Sequence, residues 1–156
     1  MDTIIELFRA LTEKIISLAS RFISWAWAWF VDLNIFDKIL VILGLPALLA
    51  VVKPSARFFM METWFYMNNP MAENMIGIVF LVAISFIIPP LYALILRTVP
   101  GALYFCWMIY MQASHTLFRI KDPYELTLWH YLNLAVPAAL VIVSLLSYLF
   151  FHRDRG

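Results

Sequence analysis

Three residues near the middle of the chain have types and spacing that could do chemistry. Gln112, His115 and Arg119, in the stretch YMQASHTLFR, fall on one helical face at i, i+3 and i+7. Such a cluster could hold a quinone or an anionic head group. His115 together with His130 could also offer two imidazoles to a haem iron. No family motif surrounds either histidine, and interhelical hydrogen bonding is the common use of such side chains inside a membrane. The expectation is therefore that no cofactor is bound, with His115, His130 and Gln112 as the candidates if one is.

Met60, Met61, Met67, Met71 and Met75 form a second cluster. Thioethers suit Cu(I). No cysteine or histidine accompanies them, and methionine also fills irregular apolar surface, so no metal is expected. The chain offers no nucleophile beside a base, no glycine-rich phosphate loop and no metal-spaced ligand set. It reads as a non-enzyme. With a net charge of +1 and no basic stripe, direct binding of nucleic acid is not expected either.

Composition sets the class of protein that must position these residues. The 156 residues are 64% hydrophobic and 13% charged, where a soluble domain carries about 25% charged residues. Segments 76–96 and 131–151 contain no charge, and roughly 20 apolar residues cross a bilayer's hydrocarbon. The reading is an all-α, polytopic membrane bundle of four transmembrane helices behind an N-terminal amphipathic interfacial helix. The interfacial part covers 1–32 and the membrane part 33–156, with spans near 33–53, 75–97, 99–118 and 128–151. No signal peptide is expected, and the single Cys106 excludes an intrachain disulfide.

The first helix carries Asp2, Glu6, Arg9, Glu13, Ser17, Ser20 and Ser24 at steps of three or four, with apolar residues filling the rest. Burying Arg9, Glu13 and Lys14 at the centre of a span would cost about 2.5–3.5 kcal/mol for each Lys or Arg. The helix is thus expected to lie in the interface, with WAWAWF (25–30) at the inner headgroup level. Its polar face, Glu6, Arg9, Glu13 and Lys14, has balanced charge. It is a candidate docking face for a protein partner, and Arg9 and Glu13 are spaced to pair.

Segment 53–75 reads as an interfacial loop or short helix. Asn69-Pro70 reads as a helix start. Pro89 and Pro90 fall inside the expected second span, where they would free the carbonyls of Ser85 and Phe86 and kink it. RTVPGA (97–102) reads as a tight connection, with Pro100 opening the third span. In KDPYEL (121–126), Asp122, Pro123 and Glu125 have the spacing of a capping box.

Lysine and arginine then set the orientation. With both termini inside, Arg9, Lys14, Arg21, Lys38, Arg97, Arg153 and Arg155 are cytoplasmic, against Lys53, Arg57, Arg119 and Lys121 outside, as the positive-inside rule favours. The functional expectation is a small, oligomeric inner-membrane subunit that scaffolds or anchors a multi-protein assembly of secretion, conjugation or phage-defence type. It would use the N-terminal helix and the C-terminal HRDRG as contact points for a partner, with Pro89, Pro90 and Arg119 as further partner-binding or structural candidates. Two alternatives are a homo-oligomeric pore, lined by the first helix or by the Pro89-Pro90 kink, and a haem or quinone subunit of an electron-transfer complex.

Overall fold

The computed structural model describes residues 2–60, 63–114, 117 and 124–152. The chain divides into two compact units, Met1–Leu33 and Asn34–Gly156. The first is a single helix, α1 (Asp2–Asp32), so the WAWAWF stretch continues the amphipathic helix without a break. Its large apolar side chains, among them Phe8, Ile16, Phe22 and Trp27, are exposed. The hydroxyls of Thr12 and Ser20 donate back to the carbonyls of Phe8 and Ser17, and Arg9 lies 3.9 Å from Glu13.

The second unit holds α2 (Ile35–Val52), β1 (Ala56–Met60), β2 (Thr63–Met67), α3 (Glu73–Ser85), α4 (Pro90–Ala113), β3 (Tyr124–Leu126) and α5 (Leu128–Ser147), which runs on into a π turn at Tyr148–His152. Helices α2 and α4, and α5 with its π turn, are each long and apolar enough to cross a membrane. The chain is thus a multi-pass candidate with three such helices among the described residues. Helix α3 is apolar but only 13 residues long, about 20 Å at 1.5 Å per residue.

Several sequence expectations need correction. The break between the second and third helical segments lies at Phe86–Pro89, not at 97–102. Pro89 is the N-cap of α4 and Pro90 its first residue, where the missing N–H costs nothing. The proline pair therefore ends a helix and begins another instead of kinking a long span, and the RTVPGA stretch is continuous α4 with Pro100 inside it.

Residues 56–60 and 63–67 form an antiparallel pair of strands, so the unit is mostly helical rather than all-α. A three-stranded antiparallel sheet has the order β2-β1-β3, and its aromatic and β-branched residues suit a half-buried pleat. Glu125 is on β3 opposite Arg57, and α5 starts at Leu128. The capping box expected over 122–125 does not start a helix, and Asp122 and Pro123 lie outside the described residues. The helix start read at Asn69-Pro70 comes a few residues later, with Ala72 as the N-cap of α3; Asn69 instead holds the turn before it, its side-chain oxygen accepting from the Met71 N–H and its carbonyl from the Ala72 N–H.

The bundle core is built from Leu40, Ala47, Met75, Ile78, Val82, Tyr104, Met108, Val136 and Leu140. Gly101 lets α4 approach α5. A Cβ there would stand 3.2 Å from Val141 Cγ2 and 3.4 Å from the Pro137 carbonyl oxygen. Gly101→Leu is expected to push these helices apart and cost roughly 1–3 kcal/mol, as overpacking does, while Gly101→Ala costs less. Unfolding of the detergent-solubilised protein by SDS, followed by circular dichroism, measures the difference.

Candidate functional site: a buried charge cluster at one bundle end

The local signal at the head of α2 is NIFD, residues 34–37. Asn34 is the N-cap, and its side-chain oxygen accepts from the Asp37 N–H at 2.9 Å. Its amide nitrogen donates to Asp37 Oδ2 at 2.7 Å. The pair resembles a capping box, in which the third helical residue reaches back to the cap. This leaves Asp37 Oδ1 facing the bundle interior.

Arg97, in the third turn of α4, donates from Nη1 to that oxygen at 2.9 Å. Its Nε donates to Ser85 Oγ, on the last residue of α3, which in turn donates to the Val82 carbonyl. The guanidinium carbon lies 4.5 Å from the centre of the Phe86 ring. Ser147 of α5 donates to Asp37 Oδ1 at 2.9 Å, and His152 Nε2 lies 3.7 Å from Oδ2. Around this cluster Phe36 stacks on Phe150 and meets Phe151 edge-on. Asp37 and Arg97 are 5% and 6% exposed; a charge so deeply withdrawn is stable only when paired and hydrogen-bonded. Four helices supply a group to one carboxylate and guanidinium.

The opposite bundle end carries a neutral polar layer. His130 Nε2 and Gln112 Oε1 are 3.0 Å apart. Asn133 donates to the Ala50 carbonyl and to Ser55 Oγ, both at 3.3 Å. Asn69 donates to Met108 Sδ at 3.2 Å. Thr127 ties this end to the Pro54 and Ser55 carbonyls. The Tyr104 hydroxyl and Asn133 Oδ1 are buried without a hydrogen-bond partner among the described residues.

The structure brings together Gln112 and His130 from the set singled out in the sequence. Its other members, His115 and Arg119, lie outside the described residues, as does HRDRG beyond His152. Of the methionines, Met75 is buried in the core and Met67 and Met71 pack against it. Among the described residues no group of His, Cys, Asp or Glu is arranged to hold a metal ion. Pro89 and Pro90 lie within a few residues of Ser85 and Arg97, at the turn that lets both reach Asp37.

The charge cluster was missed in the sequence because Asp37, Lys38 and Arg97 look like ordinary end-of-span charges. The N-x-x-D pattern at 34–37 was the one local signal available. No protein-family model, curated protein or solved structure matches the chain.

Breaking a buried pair by removing one partner typically costs about 3–5 kcal/mol, because the other charge stays buried. Arg97→Ala and Asp37→Ala are each expected to lose that much, and Ser147→Ala about 1.5–3 kcal/mol, the range for a hydrogen bond to a charged group. SDS-unfolding curves of the purified variants check the order. Equal, small losses at all three positions would show that the cluster does not hold the helices.

Proposed function

We propose that this chain is a non-enzymatic, self-associating membrane subunit that anchors a multi-protein assembly of the cytoplasmic membrane. The bundle is the anchor and α1 is the contact element. The observation that carries this reading is α1 itself. It is a 31-residue helix that forms a unit of its own, with exposed Ile, Leu, Phe and Trp side chains, a narrow polar stripe, and Thr12 and Ser20 hydroxyls that donate within the helix. Such a helix rests stably with its apolar side in the bilayer interface. Its stripe, with the Arg9–Glu13 pair, then faces the cytoplasm and a protein partner.

In this reading α3 makes a fourth crossing. It is shorter than the hydrocarbon it must span, about 30 Å, and a short apolar segment is accommodated by local thinning or by association with other helices. The head of α2 and the end of α5 share one bundle end, through Phe36 with Phe150 and Asp37 with Ser147. Assigning that end to the cytoplasm puts Lys38 and the basic residues of α1 inside. Arg97 is neutralised by Asp37, so the remaining cations carry the bias.

Deletion of residues 2–24 is expected to leave the protein in the membrane fraction while abolishing co-purification of its partner in mild detergent. Loss from the membrane would make α1 an insertion element instead. Ion flux through liposomes reconstituted with the purified chain would replace the anchor by a pore.

A further inference from the structure

The two polar layers of the bundle keep one spacing on each long helix. On α2 the charged layer is at Asp37 and the neutral layer at Ala50, whose carbonyl accepts from Asn133. On α5 the same layers are at Ser147 and Asn133. On α4 they are at Arg97 and Gln112. At 1.5 Å per residue these separations are about 20–23 Å. Helix α3, with 13 residues, fits between the layers. Its last residue, Ser85, belongs to the charged one, and Asn69, just ahead of it, bonds Met108 near the other.

The outer surface has the same height on the flank of α2 and α3, which pack together. Residues 39–52 carry no charge and lie between Lys38 and Lys53, a length of about 21 Å. Ile42, Leu45 and Leu49 face outward there. On α3 Ile76 and Phe80 face outward, and the exposed Glu73 and Asn74 mark where its surface turns polar. On α4 the exposed aromatic residues are Tyr92 at one end and Trp107 and Tyr110 at the other, about 22–27 Å apart; Trp and Tyr favour the two headgroup levels. Helices α4 and α5 are longer than this band, but excess length can tilt, whereas the length that α3 lacks cannot be supplied by tilting. The apolar side chains past the charged layer, Ile87 and Phe150 among them, then sit at the boundary of headgroups and acyl chains.

We infer that this surface takes short-chain phospholipid: the bundle gathers lipids whose acyl chains are shorter than those of an ordinary bilayer, and among longer chains it thins the membrane around the α2–α3 flank. An ordinary hydrocarbon core is about 30 Å thick, so that flank falls roughly 8–10 Å short. A short span can be relieved by flanking side chains that snorkel, by association or by thinning of the bilayer. Lys38 and Lys53 can reach outward from α2. Helix α3 has no such side chain: it starts at Glu73 and ends in the turn at Phe86–Pro89. Ser85 is also tied to Arg97, and through it to Asp37, so α3 cannot slide along its neighbours to meet a thicker core. The lipid is then the component that adjusts. This deepens the membrane anchor proposed above and rests on its four crossings.

Quenching of tryptophan fluorescence by brominated lipid tests it. The full chain, with its six tryptophans, and a variant keeping only the exposed Trp107 are reconstituted in dimyristoleoyl, dioleoyl or dierucoyl phosphatidylcholine. Each is mixed with brominated dioleoyl phosphatidylcholine, and the quenching gives the relative affinity for each lipid. Carbonate extraction of the same vesicles reports insertion. The expected affinity is highest for the dimyristoleoyl lipid, roughly two- to fivefold above dioleoyl, and lowest for dierucoyl, as mismatch costs accumulate with thickness. If the Trp107 variant does not insert, the full chain decides. Deletion of residues 2–24 is expected to keep the order, because the short flank belongs to α2 and α3. Retention in carbonate with dioleoyl or dierucoyl preferred, or with no preference, would overturn the short-chain lipid shell and leave the anchor standing. A changed order after the deletion would assign the lipid choice to α1 and overturn the inference. Release by carbonate would overturn the anchor and the inference together.

Discussion

The pairing of Asp37 with Arg97 is the constraint on which the second unit depends. A charge brought out of water is tolerated only when an opposite charge and hydrogen bonds replace its hydration. Asp37 therefore cannot pack at the head of α2 unless α4 presents Arg97. Arg97 in turn needs Ser85 and the face of Phe86, which fixes the end of α3. Ser147 completes the carboxylate and fixes α5. Apolar packing between these helices is adaptable in rotation and register; the cluster is not. Helices in lipid gain little from hydrophobic burial against one another, so a directional contact of this kind decides which faces meet.

The same logic explains the turn at Pro89 and Pro90. Ser85 and Arg97 must both reach one carboxylate although they lie on successive helices. The chain has to reverse within the few residues between them, and a proline at the first helical position starts α4 without losing a hydrogen bond. At the far end, the requirement is met by neutral groups: Asn133, Ser55, Thr127, His130 and Gln112 satisfy the helix ends and join them to the sheet. Between the two polar layers the core is aliphatic, with Met and the buried Tyr104. From Asp37 to Ala50 on α2 this apolar layer is roughly 20 Å deep at 1.5 Å per residue. That is thin for a bilayer, in keeping with the length of α3.

Much of this architecture is legible in the sequence for a simple reason. Long uncharged runs have few places to go, so α2 and α5, with the amphipathic α1, could be read directly. The errors fall where local signals compete with tertiary contacts. RTVPGA has the chemistry of a turn, yet Arg97 is held by Asp37 and Pro100 is accommodated within α4. KDPYEL has the spacing of a cap, yet Glu125 is taken by Arg57 in a sheet. The strand pair was hidden because an aromatic, Met-rich segment suits an interfacial helix as well as a strand. The site was hidden because its partners come from four separate segments, and only the Asn34–Asp37 step is local.

A double-mutant cycle on Asp37 and Arg97 tests the central claim most directly. The stability of the wild type, Asp37→Ala, Arg97→Ala and the double variant is measured by unfolding in SDS. If the two side chains hold each other inside the bundle, the double variant loses much less than the two single losses added together. A coupling of about 1–3 kcal/mol is then expected, as for contacting residues in one network. Additive losses, with a coupling indistinguishable from zero, would mean that the charges act separately at the ends of their helices and would contradict this account.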